Sequence, residues 1–253
     1  MSEYSNFAEV YDRLMTDVDY KARTEYLCRL FKKYDRQPTL LLDLACGTGG
    51  FSNEFAKQGA EVIGVDISEE MLSYARENSE KCGQSVLYLC QPAEELDLYG
   101  TVDGAVCCLD SLNHITDYER LCKAIERVAL FLEKDRLFIF DVNTVYKHKQ
   151  VLGNNIFVID SEDVYCVWQN FFDDNCNTTQ IDLDFFVKEG KHYTRSFESF
   201  CERAYTLEEL ENAVSAAGLE TVAVFDDMTE NPVSDTTERA VFITRKIKET
   251  YNG

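Results

Sequence analysis

Proline is scarce, at 3 in 253 residues, and positive charge is scarcer than negative: 25 Lys and Arg stand against 46 Asp and Glu, a formal net charge of −21. Too few cations argues against a duplex DNA partner, because affinity for a phosphate backbone comes largely from Lys and Arg displacing condensed counterions. RNA is disfavoured on the same ground, although a local basic groove can sit inside an acidic total. No stretch approaches the roughly 20 uninterrupted apolar residues of a membrane helix, so no membrane partner is expected. The opening Met1-Ser2-Glu3-Tyr4-Ser5-Asn6 has neither a basic segment nor an apolar run, which predicts no secretory signal and a cytoplasmic protein. Its 10 cysteines include no C-x-x-C pair, so the usual zinc and thioredoxin-like spacings are missing. In a reducing compartment these thiols are expected as small buried hydrophobes. With 45% apolar residues, the chain can bury a core, which excludes disordered and collagen-like classes.

What is present is an alternation of short apolar runs and helical periods. Residues 5–35 read as helical, with Leu27, Leu30, Phe31 and Tyr34 on one stripe and Pro38 beyond its end. Apolar strands follow at 40–42, 62–65, 86–89, 105–109 and 137–140, with helices starting after Gly50, capped by Ser68, and spanning about 117–133. A capping box at Thr206-Leu207-Glu208-Glu209 opens a last helix that stops at Gly218, and strands at 222–225 and 240–244 close the chain. Parallel neighbours need crossovers that cover both faces, so the pattern predicts an α/β fold with a doubly wound, seven-stranded, mostly parallel sheet. Between about 155 and 203 the texture changes to runs at 164–172, 178–187 and 192–201, broken by turn residues. Residues 151–203 are thus expected to form a small antiparallel insert in a core of 1–150 and 204–253.

The chemistry concentrates in Asp43-Leu44-Ala45-Cys46-Gly47-Thr48-Gly49-Gly50, followed by Asp66 at the end of the second strand. Ligands of doubly wound sheets bind outside the carboxyl ends of the strands, where strand order reverses. Gly47 and Gly49 allow close approach to the backbone, and Asp66 can accept two hydrogen bonds from vicinal hydroxyls such as those of a ribose. A nicotinamide dinucleotide would want a third glycine at position 52, where Ser52 stands. Asp43 beside this loop suits a cationic ligand rather than a pyrophosphate.

With Gly64-Val65-Asp66-Ile67-Ser68-Glu69-Glu70-Met71-Leu72, this segment resembles motif I and the following strand of class I S-adenosylmethionine-dependent methyltransferases. The similarity extends through Tyr11-Asp12-Arg13-Leu14-Met15, Leu109-Asp110-Ser111-Leu112-Asn113 and Phe140-Asp141-Val142-Asn143-Thr144, and includes the antiparallel insert carried by small-molecule members. The resemblance implies S-adenosyl-L-methionine as cofactor. It places the methionine portion on Ala45, Gly47, Thr48 and Gly49, with Asp43 orienting the loop or the ammonium. Asp66 would take the ribose, and Ile67 and Met71 the adenine faces. Leu109 belongs with them, and Tyr11 and Tyr20 resemble aromatic caps over the cofactor. After the third strand, Gln91, Pro92 and Ala93 depart from the family pattern by placing proline where an acid is expected, which leaves the adenine contact to Gln91, the Ala93 backbone or Glu94.

For the acceptor side, His114 and Asp110 are the candidate catalytic groups, since a hydroxyl or ammonium acceptor must lose a proton. Asn113, Tyr165, Trp168 and Tyr193 are the expected acceptor wall. Asp110, Asp141 and Asn143 offer only oxygen donors at strand ends, and no metal is expected from them. No [Asp/Asn]-Pro-Pro-aromatic follows the fourth strand and no Pro-Cys nucleophile is present; Cys107 and Cys108 read as core. The reading is methyl transfer to nitrogen or oxygen of a small molecule, with a non-catalytic cofactor-binding module, and less strongly an RNA-modifying enzyme, as alternatives.

Overall fold

The computed structural model describes residues 18–248; the helical reading of 5–17, and Tyr11 with it, lies outside them. Helix α1 (Tyr20–Tyr34) starts where the Asp19 carboxylate accepts the Ala22 N–H at 2.9 Å, satisfying a donor that has no partner within the helix. Next come β1 (Leu40–Leu44), α2 (Gly50–Lys57), β2 (Glu61–Asp66), α3 (Glu69–Cys82), β3 (Val86–Cys90), β4 (Gly104–Cys107), α4 (Tyr118–Phe131) and β5 (Leu137–Asn143). A π-helical turn, Lys147–Leu152, leads into β6 (Ile156–Asp160), β7 (Val164–Asp173), β8 (Thr178–Glu189) and β9 (His192–Arg203), and α5 (Leu207–Ala216), β10 (Leu219–Asp226) and β11 (Arg239–Lys246) complete the fold.

The large sheet runs β10-β11-β5-β4-β1-β2-β3. Its strands are parallel except β11, which pairs antiparallel with both β5 and β10. Strand alternation divides the core: Leu42, Phe138, Phe140 and Phe242 pack with α4 and α5, whereas Leu41, Leu137, Ile139 and Ile243 pack with α1 and α2. The two helix layers leave the carboxyl ends of β1, β2, β4 and β5 as one edge. Among the described residues no helix is long and apolar enough to cross a membrane.

The crossover from β3 to β4 carries a 3-10 turn at Ala93–Glu95, followed by buried Leu96 and Leu98. Three features depart from the sequence reading. The fourth strand stops at Cys107 rather than 109, because Leu109 and Asp110 take left-handed φ of 56° and 52°. The small sheet, β6-β7-β8-β9, has four antiparallel strands; β6 is exposed along most of its length and lacks the in–out alternation that marks a strand in sequence. All ten cysteines are unbridged, with Cys107 and Cys108 in the core, but Cys82, Cys90, Cys176 and Cys201 are exposed rather than buried.

Phe242 is fully buried and stacks on Phe140 with ring centroids 4.9 Å apart. Phe242→Ala is expected to cost about 3–5 kcal/mol in urea unfolding; a loss below about 1 kcal/mol would contradict this packing.

Candidate functional site

The loop after β1 turns on three left-handed residues, Ala45 (φ 56°), Gly47 (φ 53°) and Gly49 (φ 80°). Cys46 N–H donates to the Val65 carbonyl of β2 at 3.0 Å, and the turn closes with Gly49 N–H on the Cys46 carbonyl at 2.9 Å. Asp66 fixes the result: its carboxylate accepts the Gly47 N–H at 2.8 Å and the Ser68 N–H at 2.9 Å, joining the loop to the start of α3. Burial pushes the Asp66 carboxyl up, opposed by those same N–H groups. Gly49 is needed for space as well as conformation, because a Cβ there would collide with the Tyr88 hydroxyl.

Beneath the loop, Asp43 is buried and accepts the Ser52 hydroxyl at 2.5 Å. Burial raises its pKa to about 7, with Asp66 adding to the rise and Ser52 opposing it. Ser52 therefore occupies the position of a third glycine with a hydroxyl that anchors this carboxyl.

A cavity of about 250 Å³ opens along the edge of the sheet. Ala45, Gly47, Asp66, Ile67, Met71, Gln91, Ala93, Leu109 and His114 all line it. Ile67 is exposed at 58% while Met71 is buried. A smaller chamber of about 30 Å³ shares Ala45, Gly47, Leu109 and Ser111 with it and is lined further by Tyr20, Asp43 and Thr48. Tyr20 meets Phe51 edge-on at 5.2 Å, and its ring lies where a Cβ on Gly50 would stand. Gly49 and Pro92 do not line either space. The Gln91 side chain is engaged locally: its amide oxygen accepts the Asp97 N–H at 2.9 Å. Glu94, which lines the cavity, is held by Arg120.

At the other end, the Asp141 carboxylate accepts the N–H groups of Leu109 (2.9 Å) and Asp110 (2.8 Å), the two left-handed residues. Arg239 of β11 bridges Asp141 and Asp110, with 2.6 Å to the latter. Burial opposes ionisation of Asp110, but Arg239, Lys147 and His114 together outweigh it and hold the carboxyl down at about 2. His114 lines the cavity, stacks on Phe200 of β9 with centroids 5.1 Å apart, and places Nε2 3.6 Å from Glu202 Oε1. Glu202 is buried, and burial together with the Asp110 charge raises its pKa to about 8. His148, on the π-helical turn, lies 3.8 Å from Glu202 Oε2 and is lowered by burial to about 4.

The expected acceptor wall is not gathered here. Asn113 is fully enclosed, donating to the carbonyls of Asn143 (3.1 Å) and Arg203 (2.8 Å) and accepting the Asn143 N–H at 3.0 Å. Tyr165 and Tyr193 lie on the outward face of the small sheet, 38% and 59% exposed. The Trp168 indole faces inward but donates to Asn170 at 2.7 Å, and none of the three lines the cavity. The insert meets this end through Phe200 and Glu202, which contact His114 without lining the cavity themselves. Sequence reasoning passed over Glu202, whose one signal was a charged residue at the same strand parity as Phe200.

Residues 41–131 match the sequence model of a methyltransferase domain. YqeM of Bacillus subtilis (strain 168), which bears a methyltransferase name, is 33% identical over 246 residues, covering 97% of this chain and 98% of its own. A crystal structure described as a S-adenosylmethionine-dependent methyltransferase from Clostridium acetobutylicum ATCC 824 superposes with TM-score 0.86 at 34% identity, covering 97% of this chain and 99% of that one. The sugar N-methyltransferase KedS8 from Streptoalloteichus sp ATCC 53650 has TM-score 0.78 at 18% identity, over 95% and 92% of the two chains. At that identity the likeness concerns the fold.

A buried carboxyl with a raised pKa stabilises the fold at low pH, and the contribution is lost as pH rises through the folded value. With Asp43 at about 7, cofactor-free protein should lose more unfolding free energy between pH 5 and pH 8 than Asp43→Asn does, by about 2 kcal/mol. Urea titrations at the two pH values check this; parallel losses would contradict it.

Proposed function

The chain belongs to the class I S-adenosylmethionine-dependent methyltransferases, and on that premise we propose that it methylates a nitrogen or oxygen of a small molecule at the carboxyl edge of the large sheet. The supporting observation is that the cavity and the chamber over Asp43 lie side by side, sharing the left-handed loop at Ala45 and Gly47 as lining. The donor set fits the cofactor. Asp66 offers an acceptor to ribose hydroxyls, Ile67 and Met71 offer apolar faces to adenine, and Asp43 offers a counter-charge to the methionine ammonium. A Cβ at Gly47 would meet only open space, so the loop presents backbone rather than side chain there. Tyr20 and Thr48 close the smaller chamber around the amino-acid end.

The bound cofactor supplies an electrophilic methyl group whose departing sulfur needs no proton. What remains for the chain is to align the acceptor, exclude water and manage the acceptor's proton. His114, covered by Phe200 of the small sheet, marks the acceptor end. Asp110, clamped by Arg239, is too weak a base to take a proton at neutral pH and positions its neighbours instead. A concave cavity of about 250 Å³ favours a small acceptor over a polymer, in keeping with the −21 charge.

Titration calorimetry with S-adenosyl-L-methionine is expected to show one site, weakened at least about tenfold in Asp66→Asn, since hydrogen bonds to a charged partner contribute about 1.5–3 kcal/mol each. Equal affinity in both proteins would remove the ribose assignment. If the ammonium sits beside Asp43, binding at pH 6.5 lowers that carboxyl's proton affinity and releases protons. The observed heat should then vary with buffer ionisation enthalpy in the wild type and lose most of that dependence in Asp43→Asn; no difference between the two would contradict the Asp43 role.

A further inference from the structure

Asp110, His114 and Glu202 each present one donor atom, all within 4.8 Å of one another. These side chains come from three elements: the left-handed corner after β4, the short 3-10 turn behind it, and the end of β9. Two of the groups involved are buried without a hydrogen-bond partner: Glu202 Oε2 and His148 Nε2. They face each other at 3.8 Å, and His114 Nε2 stands 3.6 Å from Glu202 Oε1. Both separations are too long for a hydrogen bond. The His114–Glu202 separation is that of the roughly 3.3–3.6 Å between donors bound at about 2.0–2.2 Å to one tetrahedral ion, while the longer one leaves His148 as a neighbour of Glu202.

We propose that Asp110, His114 and Glu202 bind a divalent transition-metal ion at the acceptor end of the cavity, with His148 behind Glu202 and the fourth tetrahedral position left open. Imidazole nitrogen beside carboxylate oxygen selects a zinc-like ion over magnesium or calcium. The outer groups are arranged as such a site requires. His148 Nδ1 pairs with the Thr179 hydroxyl at 2.7 Å, which leaves Nε2 pointed at Glu202, and Asn143 Nδ2 holds Asp110 Oδ2 at 2.8 Å. Arg239 is occupied between Asp110 and Asp141. Since His114 also lines the cavity, an open position on the ion would face the acceptor's oxygen or nitrogen, and His114 would act as a ligand rather than as a free base.

Zinc binding can be measured with neither cofactor nor acceptor present, so its failure is separable from failure of the proposed function. Zinc chloride titrated into the full chain should bind at one equivalent with micromolar or tighter Kd, while magnesium chloride gives no saturable heat. In nitrogen-resolved NMR, zinc should shift the ring signals of His114 and His148 and leave those of His192 unmoved. Glu202→Gln should weaken zinc at least about tenfold. Absence of stoichiometric zinc, undiminished binding in Glu202→Gln, or zinc bound with the two rings unmoved, as capture by the exposed thiols would give, overturns the site. Should Glu202→Gln fail to fold, the ring signals of the unaltered chain decide alone.

Discussion

One carboxylate sets the shape of the working edge of the large sheet. Asp66 accepts a backbone N–H from Gly47 on one side and from Ser68 on the other, so the loop after β1 and the start of α3 cannot move apart without leaving a buried charge unsatisfied. That constraint acts beside β1, whose neighbours β2 and β4 continue in opposite directions across the sheet, the place where a doubly wound fold opens a crevice. The loop's left-handed residues are held in a conformation that costs roughly 1–2 kcal/mol for Ala45, a non-glycine. Asp43 below and Asp66 beside the loop bring two carboxyls close together in a dry environment, which favours a cationic ligand over a pyrophosphate.

The opposite end repeats the device with a different cast. Asp141 takes the N–H groups of Leu109 and Asp110, turning the chain sharply at the end of β4 and exposing the 3-10 turn that carries His114. Here one of the chain's scarce cations is placed where it has most effect: Arg239, 12% exposed, is shared between two carboxylates. Breaking a buried pair of this kind by removing one partner typically costs about 3–5 kcal/mol, because the remaining charge is left uncompensated. The antiparallel strand β11 thus has a role beyond closing the sheet, since it delivers the guanidinium that lets Asp110 stay ionised beside Glu202.

Much of this was legible in the residues, and the limits follow from strand physics. Apolar runs such as Leu40-Leu41-Leu42 and Leu137-Phe138-Ile139-Phe140, the Ser68 cap and the Thr206–Glu209 capping box specify local structure on their own, so the large sheet and its helices emerged with small errors at the ends. The geometry of the loop after β1 was legible for the same reason: Asp43, Gly47 and Asp66 stand close in sequence to the strand ends that position them. The groups around His114 converge from the turn after β4, the π-helical turn and β9, elements separated by up to about 90 residues, and no local pattern reports that convergence. Aromatic content was a poor guide there. Tyr165 and Tyr193 fall on the outward parity of their strands, whereas Glu202, a charged residue with no motif around it, falls on the inward one.

A crystal structure of the chain with S-adenosylhomocysteine is the most direct test of the Asp66 constraint. It should show both ribose hydroxyls within hydrogen-bond distance of the Asp66 carboxylate, with the Gly47 and Ser68 contacts intact and the amino-acid end over Asp43. A ribose seated elsewhere along the edge, with Asp66 making no contact to it, would contradict the arrangement described.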